Sequence, residues 1–171
     1  KNKNKVLAKD VELSVVGNQH ICIIGKNGVG KSTLLKQIWE ELKDRKDLAV
    51  CYMPQDYRDI LDYEMTPAEF LQANYDKQSY TNALSFLGSM KFTRDEMVHK
   101  IGELSGGQRA KIIFLNMVLQ KANVLLLDEP TRNFSPLSAP VIRKALMDFN
   151  GTIISISHDR KYLDEIADII Y

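Results

Sequence analysis

The nine residues GKNGVGKST, Gly25 to Thr33, constrain this chain more than any other stretch. They match the pattern G-x-x-x-x-G-K-S/T, follow the apolar run ICII and precede the helical sequence LLKQIWEEL. A strand, a glycine-rich loop and a helix in that order place backbone N–H groups around phosphate oxygens. Gly25, Gly28 and Gly30 let the loop turn tightly, so that its amides aim at a β-phosphate at the helix N-terminus. The candidate nucleotide-binding residues are therefore Gly25, Asn27, Gly28, Val29, Gly30, Lys31, Ser32 and Thr33. Lys31 is placed to neutralise β- and γ-phosphate charge, and the Ser32 hydroxyl to bind Mg²⁺, which takes hard oxygen ligands and bridges phosphates. Many unrelated nucleotide-hydrolysing proteins share such a loop, so the residues downstream must say which machine it serves.

At 171 residues, with 44% apolar and 26% charged residues, the chain fits one globular domain with a sizeable core. A formal net charge of +1 excludes the basic surface that a general DNA or anionic-membrane binder needs, and any nucleic-acid contact must be local. No apolar run approaches the roughly 18 residues of a membrane span, and no signal-peptide pattern opens the chain. The expectation is a soluble, cytoplasmic protein without membrane insertion. Cys22 and Cys51 sit inside the apolar runs ICII and LAVCYM and read as buried, unpaired thiols in a reducing compartment. The sequons Asn133-Phe-Ser and Asn150-Gly-Thr are discounted, because no secretory signal accompanies them. The chain lacks an initiator Met and stops at ADIIY, in the opening of another apolar strand, so it reads as a piece of a longer protein.

Apolar periodicity places strands near residues 10–16, 20–24, 48–53, 123–127 and 152–157, separated mostly by segments of helical spacing. The runs ICII, VLLLD and TIISIS are nearly all apolar or small, as strands covered by helices on both faces should be. The expected fold class is α/β, a P-loop NTPase core with a central, mostly parallel sheet. From about 58 to 104 the rhythm breaks into helical stretches such as TPAEFLQANY and TNALSFLGSM, which predicts an inserted helical subdomain within a single domain spanning 1–171. Asp56 to Asp76 holds six acidic residues against the single Arg58, a balance that suits a solvated helix face, or a protein partner better than RNA.

In NVLLLDEPT an apolar strand ends in Asp128 and Glu129, at the edge of the sheet where open α/β folds bind ligands. Asp128 suits the outer shell of the Mg²⁺ ion, and Glu129 suits a general base that polarises an attacking water. A strand followed by Asp-Glu more often starts a helix cap than a catalytic pair, but the Lys31 loop upstream reverses those odds.

Leu104 to Lys111, LSGGQRAK, opens a helix that runs through IIFLNMVLQ. It closely resembles the signature motif of ABC-type ATPases. The resemblance implies an ABC ATPase fold that binds ATP, with Ser105, Gly106, Gly107 and Gln108 as a second phosphate-binding element at a helix N-terminus. One chain then carries two half-sites. Gln55 in CYMPQDY resembles the Q-loop glutamine, which touches Mg²⁺ or the attacking water and hinges the helical subdomain. His158, closing TIISIS, resembles the switch histidine that contacts the γ-phosphate. The implied catalytic set is Lys31, Gln55, Glu129 and His158, and the implied metal-binding set is Ser32, Gln55 and Asp128. His20 and His99 have no such support, and Trp39 reads as a packing residue.

From Lys31 to Gln55 is 24 positions (55 − 31), too few for the extra hairpin that transporter ATPase subunits usually carry there. This shortness, with the wording GKNGVGKSTLLK, LSGGQRAK and SHDRKYL, resembles the ABC-F group, particularly its second ATPase domain. That group consists of soluble proteins with two ATPase domains that act on ribosomes. The resemblance implies a partner ATPase domain packed head to tail and a ribosomal role for the parent protein, in translation or in antibiotic resistance; the alternative is the ATP-binding subunit of a membrane transporter. Two features depart from the group. ABC-F chains commonly read D-E-P-T-N-H-L-D, whereas this one reads DEPTRNFS, with Ser135 in place of the D-loop aspartate. No aromatic residue precedes Trp39 to stack on adenine, which leaves aliphatic groups near Val6 and Leu7, or residues before Lys1, for that contact.

Overall fold

The computed structural model describes residues 15–171. Their elements run β1 (His20–Ile23), α1 (Lys31–Leu42), β2 (Val50–Met53), α2 (Pro67–Asn74), α3 (Lys77–Ser89), α4 (Gly106–Leu119), β3 (Val124–Asp128), α5 (Ala139–Met147), β4 (Thr152–Ile156), α6 (Arg160–Ile166) and β5 (Ile169–Ile170). The strands form one sheet in the order β2-β3-β4-β1-β5, and every pairing is parallel. The α/β reading is correct, and the ADIIY end supplies the edge strand β5. The strand expected over 10–16 falls mostly outside the described residues; Val15 and Val16, its described end, lie in no strand.

The near-continuous apolar runs follow from helices covering both faces of the sheet. Along β3, Leu125 and Leu127 join the larger core with Ile112, Leu115 and Ile142, whereas Val124 and Leu126 join a second core with Leu35 and Ile154. Successive strand residues point to opposite faces, so a polar residue at any of these positions would be buried without a partner. Trp39 stacks on Tyr52 with ring centroids 5.1 Å apart, a packing role as its sequence setting suggests. Cys22 and Cys51 are buried and free, and burial pushes the Cys51 thiol up to about 11.

Between β2 and α4 the chain carries α2, α3 and two single-turn 3-10 helices. Each α-helix here starts at a side-chain cap, a contact that contributes about 1 kcal/mol. Thr66 and Glu69 form a reciprocal capping box ahead of α2, with Pro67 in its first turn. Asp76 accepts from the Ser79 amide at 2.7 Å and so starts α3 four residues before the apolar TNALSFLGSM stretch begins. Beyond them α4 buries Ala110, Ile112, Ile113, Phe114, Leu115 and Met117 as a central helix of the core. No helix among the described residues is long and apolar enough to cross a membrane.

Candidate nucleotide site

The parallel register aligns the C-terminal ends of four strands. Ile23 pairs with Ile156, Asp128 pairs with Ile156 from the other side, and Met53 pairs with Leu127. The chain leaves these ends as the glycine loop after β1, Gln55 after β2, Glu129 after β3 and His158 after β4, which is where open α/β sheets bind ligands. A hollow of about 720 Å³ opens there, lined by Asn27, Gly28, Gly30, Lys31, Ser32, Thr33, Gln55, Asp128, Glu129, Arg132, Ile156 and His158. Gly25 and Val29, on the same loop, lie outside this lining, and Val29 is 47% exposed.

Gly30 caps α1 at φ 102°, a left-handed conformation that favours glycine, and no side chain among the described residues caps the helix. The first-turn N–H groups of α1 are thus free for a ligand, at the positive end of the helix dipole. The Lys31 ammonium folds back to donate to the carbonyls of Gly25 at 2.6 Å and Lys26 at 2.9 Å.

Asp128 is 3% exposed, and its Oδ2 has no hydrogen-bond partner among the described residues. Burial pushes its carboxyl above the ordinary value, while the Ser32 hydroxyl and the Lys31 ammonium pull it back. A buried, unpaired carboxylate oxygen beside a serine hydroxyl is a donor set that fits a hard divalent cation such as Mg²⁺.

Glu129 takes φ 53°, uncommon for a residue with a side chain, and such a conformation costs about 1–3 kcal/mol. The surroundings hold it there: its amide donates to the Ile156 carbonyl at 2.9 Å, and its own carbonyl accepts from the Arg132 amide at 3.1 Å. The carboxylate faces His158, with Oε2 accepting from the His158 amide at 3.4 Å and Oε1 lying 3.5 Å from Nε2. Burial is the main influence raising the Glu129 carboxyl, and the His158 amide and ring oppose it. Such a group can take a proton from water while a neighbouring imidazole orients it.

The residues of LSGGQ lie in a separate hollow of about 550 Å³, lined by Ser105, Gly106, Gly107, Gln108, Lys111, Arg132, Asn133, Phe134, Ser135 and Ser138. Ser105 caps α4. Its hydroxyl accepts from the Gln108 amide at 3.2 Å, and the Gln108 side chain accepts from the Ser105 amide at 2.6 Å. The hydroxyl proton of Ser105 remains available to donate to an anion. A Cβ on Gly107 would stand 2.7 Å from the Asn133 carbonyl oxygen, so this position has no room for a side chain.

The turn after β3 contains contacts that sequence reasoning passed over. Thr131 donates to Asp159 at 3.0 Å, and Asn133 donates to the Tyr57 hydroxyl at 2.8 Å, tying the exit of β3 to the exits of β4 and β2. DEPTRNFS was legible only as a departure at Ser135. The signal for Arg132 was a cation four positions after Asp128, in the same turn.

The sequence model of the family described as ABC transporter matches residues 8–132. The chain belongs to the ABC transporter ATPase family. Its homologues at about 30% identity are ABC-F proteins. One of them, ABC transporter F family member 5 of Arabidopsis thaliana, is 30% identical over 173 residues, covering 96% of this chain and 25% of its own length. The chain spans about a quarter of the length of the first curated relatives it matches. Among solved structures, the dimeric structure of MJ0796, a bacterial ABC transporter cassette, superposes with a TM-score of 0.80 at 20% identity, over 96% of this chain and 85% of that one. The archaeal ribosome recycling factor aABCE1, solved with ribosomal stalk protein aP1, gives a TM-score of 0.67 at 27% identity, over 90% of this chain and 31% of that one. An ABC ATPase domain implies ATP binding.

Proposed function

We propose that the chain is an ATP-hydrolysing domain of an ABC-F protein that acts on the ribosome, paired head to tail with a second ATPase domain. The observation that carries the pairing is the separation of the two hollows. Loop, Gln55, Asp128, Glu129 and His158 line one, Ser105 to Gln108 line the other, and the linings have only Arg132 in common. On this reading the loop and the signature of one chain serve different nucleotides, and two copies facing each other supply a loop and a signature to each. The dimeric MJ0796 cassette supports this arrangement. The likeness to F-family relatives and to a ribosome recycling factor, together with the short span from Lys31 to Gln55, supports the ribosomal role.

In this reading the amides of the loop hold the β-phosphate, and Lys31 turns from the Gly25 and Lys26 carbonyls to the β- and γ-phosphates. Ser32, Asp128 and Gln55 would hold Mg²⁺, which neutralises phosphate charge when bound. Glu129 accepts a proton from a water whose oxygen attacks the γ-phosphorus, while the bond to the β-phosphate oxygen breaks and ADP leaves. His158 orients the Glu129 carboxylate through the contacts already present. Ser105 and the amides of Gly106 and Gly107 stabilise the γ-phosphate held by the partner domain.

Mixing variants tests the pairing. Lys31→Ala and Ser105→Arg copies are each expected to be inactive alone, yet together they assemble one intact site from the loop of the second and the signature of the first. A mixture as inactive as its parts contradicts the head-to-tail site. For the cellular role, the parent protein carrying Glu129→Gln and the equivalent change in its other domain should co-sediment with ribosomes in ATP. Recovery in washed membranes alone would instead favour a transporter subunit.

A further inference from the structure

Arg132 occupies a position that no site motif assigns. It lines the loop hollow, the signature hollow and a third space of about 230 Å³ formed by Gln55, Tyr57, Asp128, Glu129 and Asn133. That third space includes no loop residue. Arg132 therefore borders the loop hollow together with Gln55, Asp128 and Glu129, which line both spaces.

Its backbone is fixed from three directions. The Arg132 amide donates to the Glu129 carbonyl, Thr131 is tied to Asp159, and Asn133 is tied to Tyr57. The guanidinium itself is exposed and makes no hydrogen bond or ion pair among the described residues. Arg45, Arg58 and Arg143 are engaged by carboxylates, and Arg109 by backbone carbonyls and the ring of Tyr63, while Arg94 and Arg160, also without such partners among the described residues, line none of the three spaces. Arg132 is close enough to Asp128, Glu129 and Tyr57 for its charge to act on all three. A held backbone carrying a free, planar cation beside the buried Asp128 and the half-buried Glu129 suits an anion that arrives with its own negative charge. A guanidinium fork matches phosphate oxygens in a two-bond geometry that an ammonium cannot reproduce.

We propose that Arg132 binds the terminal phosphate of the nucleotide held by its own loop, adding a second side-chain cation to Lys31 in the same hollow. The proposal rests on the reading of the strand-end hollow as an ATP site. It makes Arg132 a residue that separates ATP from ADP, since ADP lacks the group it touches.

Calorimetric titration of the chain with ADP and with the imido analogue of ATP, which resists hydrolysis, tests this. Arg132→Gln should weaken the analogue by about tenfold or more, as expected for losing a charge-assisted hydrogen bond, and leave ADP unchanged. Arg132→Lys should fall between, and thermal melting should show all variants folded, because the side chain is exposed. Equal affinities in wild type and Arg132→Gln, or equal weakening of ADP and the analogue, would overturn the assignment while leaving the ATP site intact. A variant that binds the analogue normally but turns over slowly only at concentrations where domains pair would place Arg132 on the partner's nucleotide, and the proposal would fall. A wild-type chain that binds neither nucleotide removes both this proposal and the reading beneath it.

Discussion

The Lys31 ammonium sits 2.6 Å from the Gly25 carbonyl oxygen, so the loop solvates its own cation with the backbone that begins it. In the proposed ATP site nucleotide would have to compete with the Gly25 and Lys26 carbonyls for the same group. Lys31→Ala should abolish tight binding of Mg-ATP, read by titration calorimetry. Unchanged affinity would assign phosphate binding to the amides alone.

Glu129→Gln should keep ATP bound and slow hydrolysis by about 10²–10⁴-fold, the usual worth of general-base assistance. In the wild type the base must be ionised, and burial raises its carboxyl. The rate should therefore fall on acidification at a pH above the ordinary glutamate value of 4.5. Arg132→Gln removes a cation that lowers this carboxyl, and should move the acid limb higher still. A limb at or below the ordinary value would contradict the burial argument.

Asp128→Asn should stabilise the chain in metal-free buffer at about pH 7. The native carboxyl is raised, so the folded state holds its proton more tightly than the unfolded one, and the fold loses stability as pH rises through and above the ordinary value of 3.8. The amide removes that loss. The melting midpoint should rise by a few degrees, since about 1 kcal/mol shifts a chain of this size by about 2–4 °C, and the gain should shrink toward about pH 4. A lower midpoint would show that Asp128 is already compensated without metal.

Gly106→Ala and Gly107→Ala should differ sharply although they are neighbours in one helix turn. A Cβ at Gly106 meets the Asn133 side chain at 3.3 Å, whereas one at Gly107 meets the Asn133 backbone oxygen at 2.7 Å. Gly107→Ala should cost about 1–3 kcal/mol through overpacking, and Gly106→Ala should be tolerated. Chemical denaturation of the two variants decides it.

Much of the sheet was readable from sequence because its strands are buried on both faces. VLLLD and TIISIS leave no polar alternative, and the structure returns Val124–Asp128 and Thr152–Ile156. Helix α3 was legible only from its apolar middle; its polar first turn, KQSY, is set by the Asp76 cap. The loop and the Asp128–Glu129 pair were legible from their strand settings, whereas Gln55 and His158 were named only through the family resemblance; the structure brings all of them to one hollow. The Asn133–Tyr57 bond joins residues 76 positions apart and leaves no periodic trace. The positive φ of Glu129 was equally hidden, since nothing in DEPT signals a left-handed residue other than glycine.

The strand that launches the phosphate loop is the first described strand of the chain, yet its neighbours are the last two. β1 lies between β4 and β5, with His20 paired to Ile153 and Cys22 to Ile170. During synthesis the loop leaves the ribosome well before β4 and β5, the strands that flank β1. Pairings so distant in sequence close slowly, because the intervening chain must first be ordered. If the loop holds nucleotide only once β4 has paired with β1, nascent chains stopped before Thr152 should show no ATP-dependent resistance to protease.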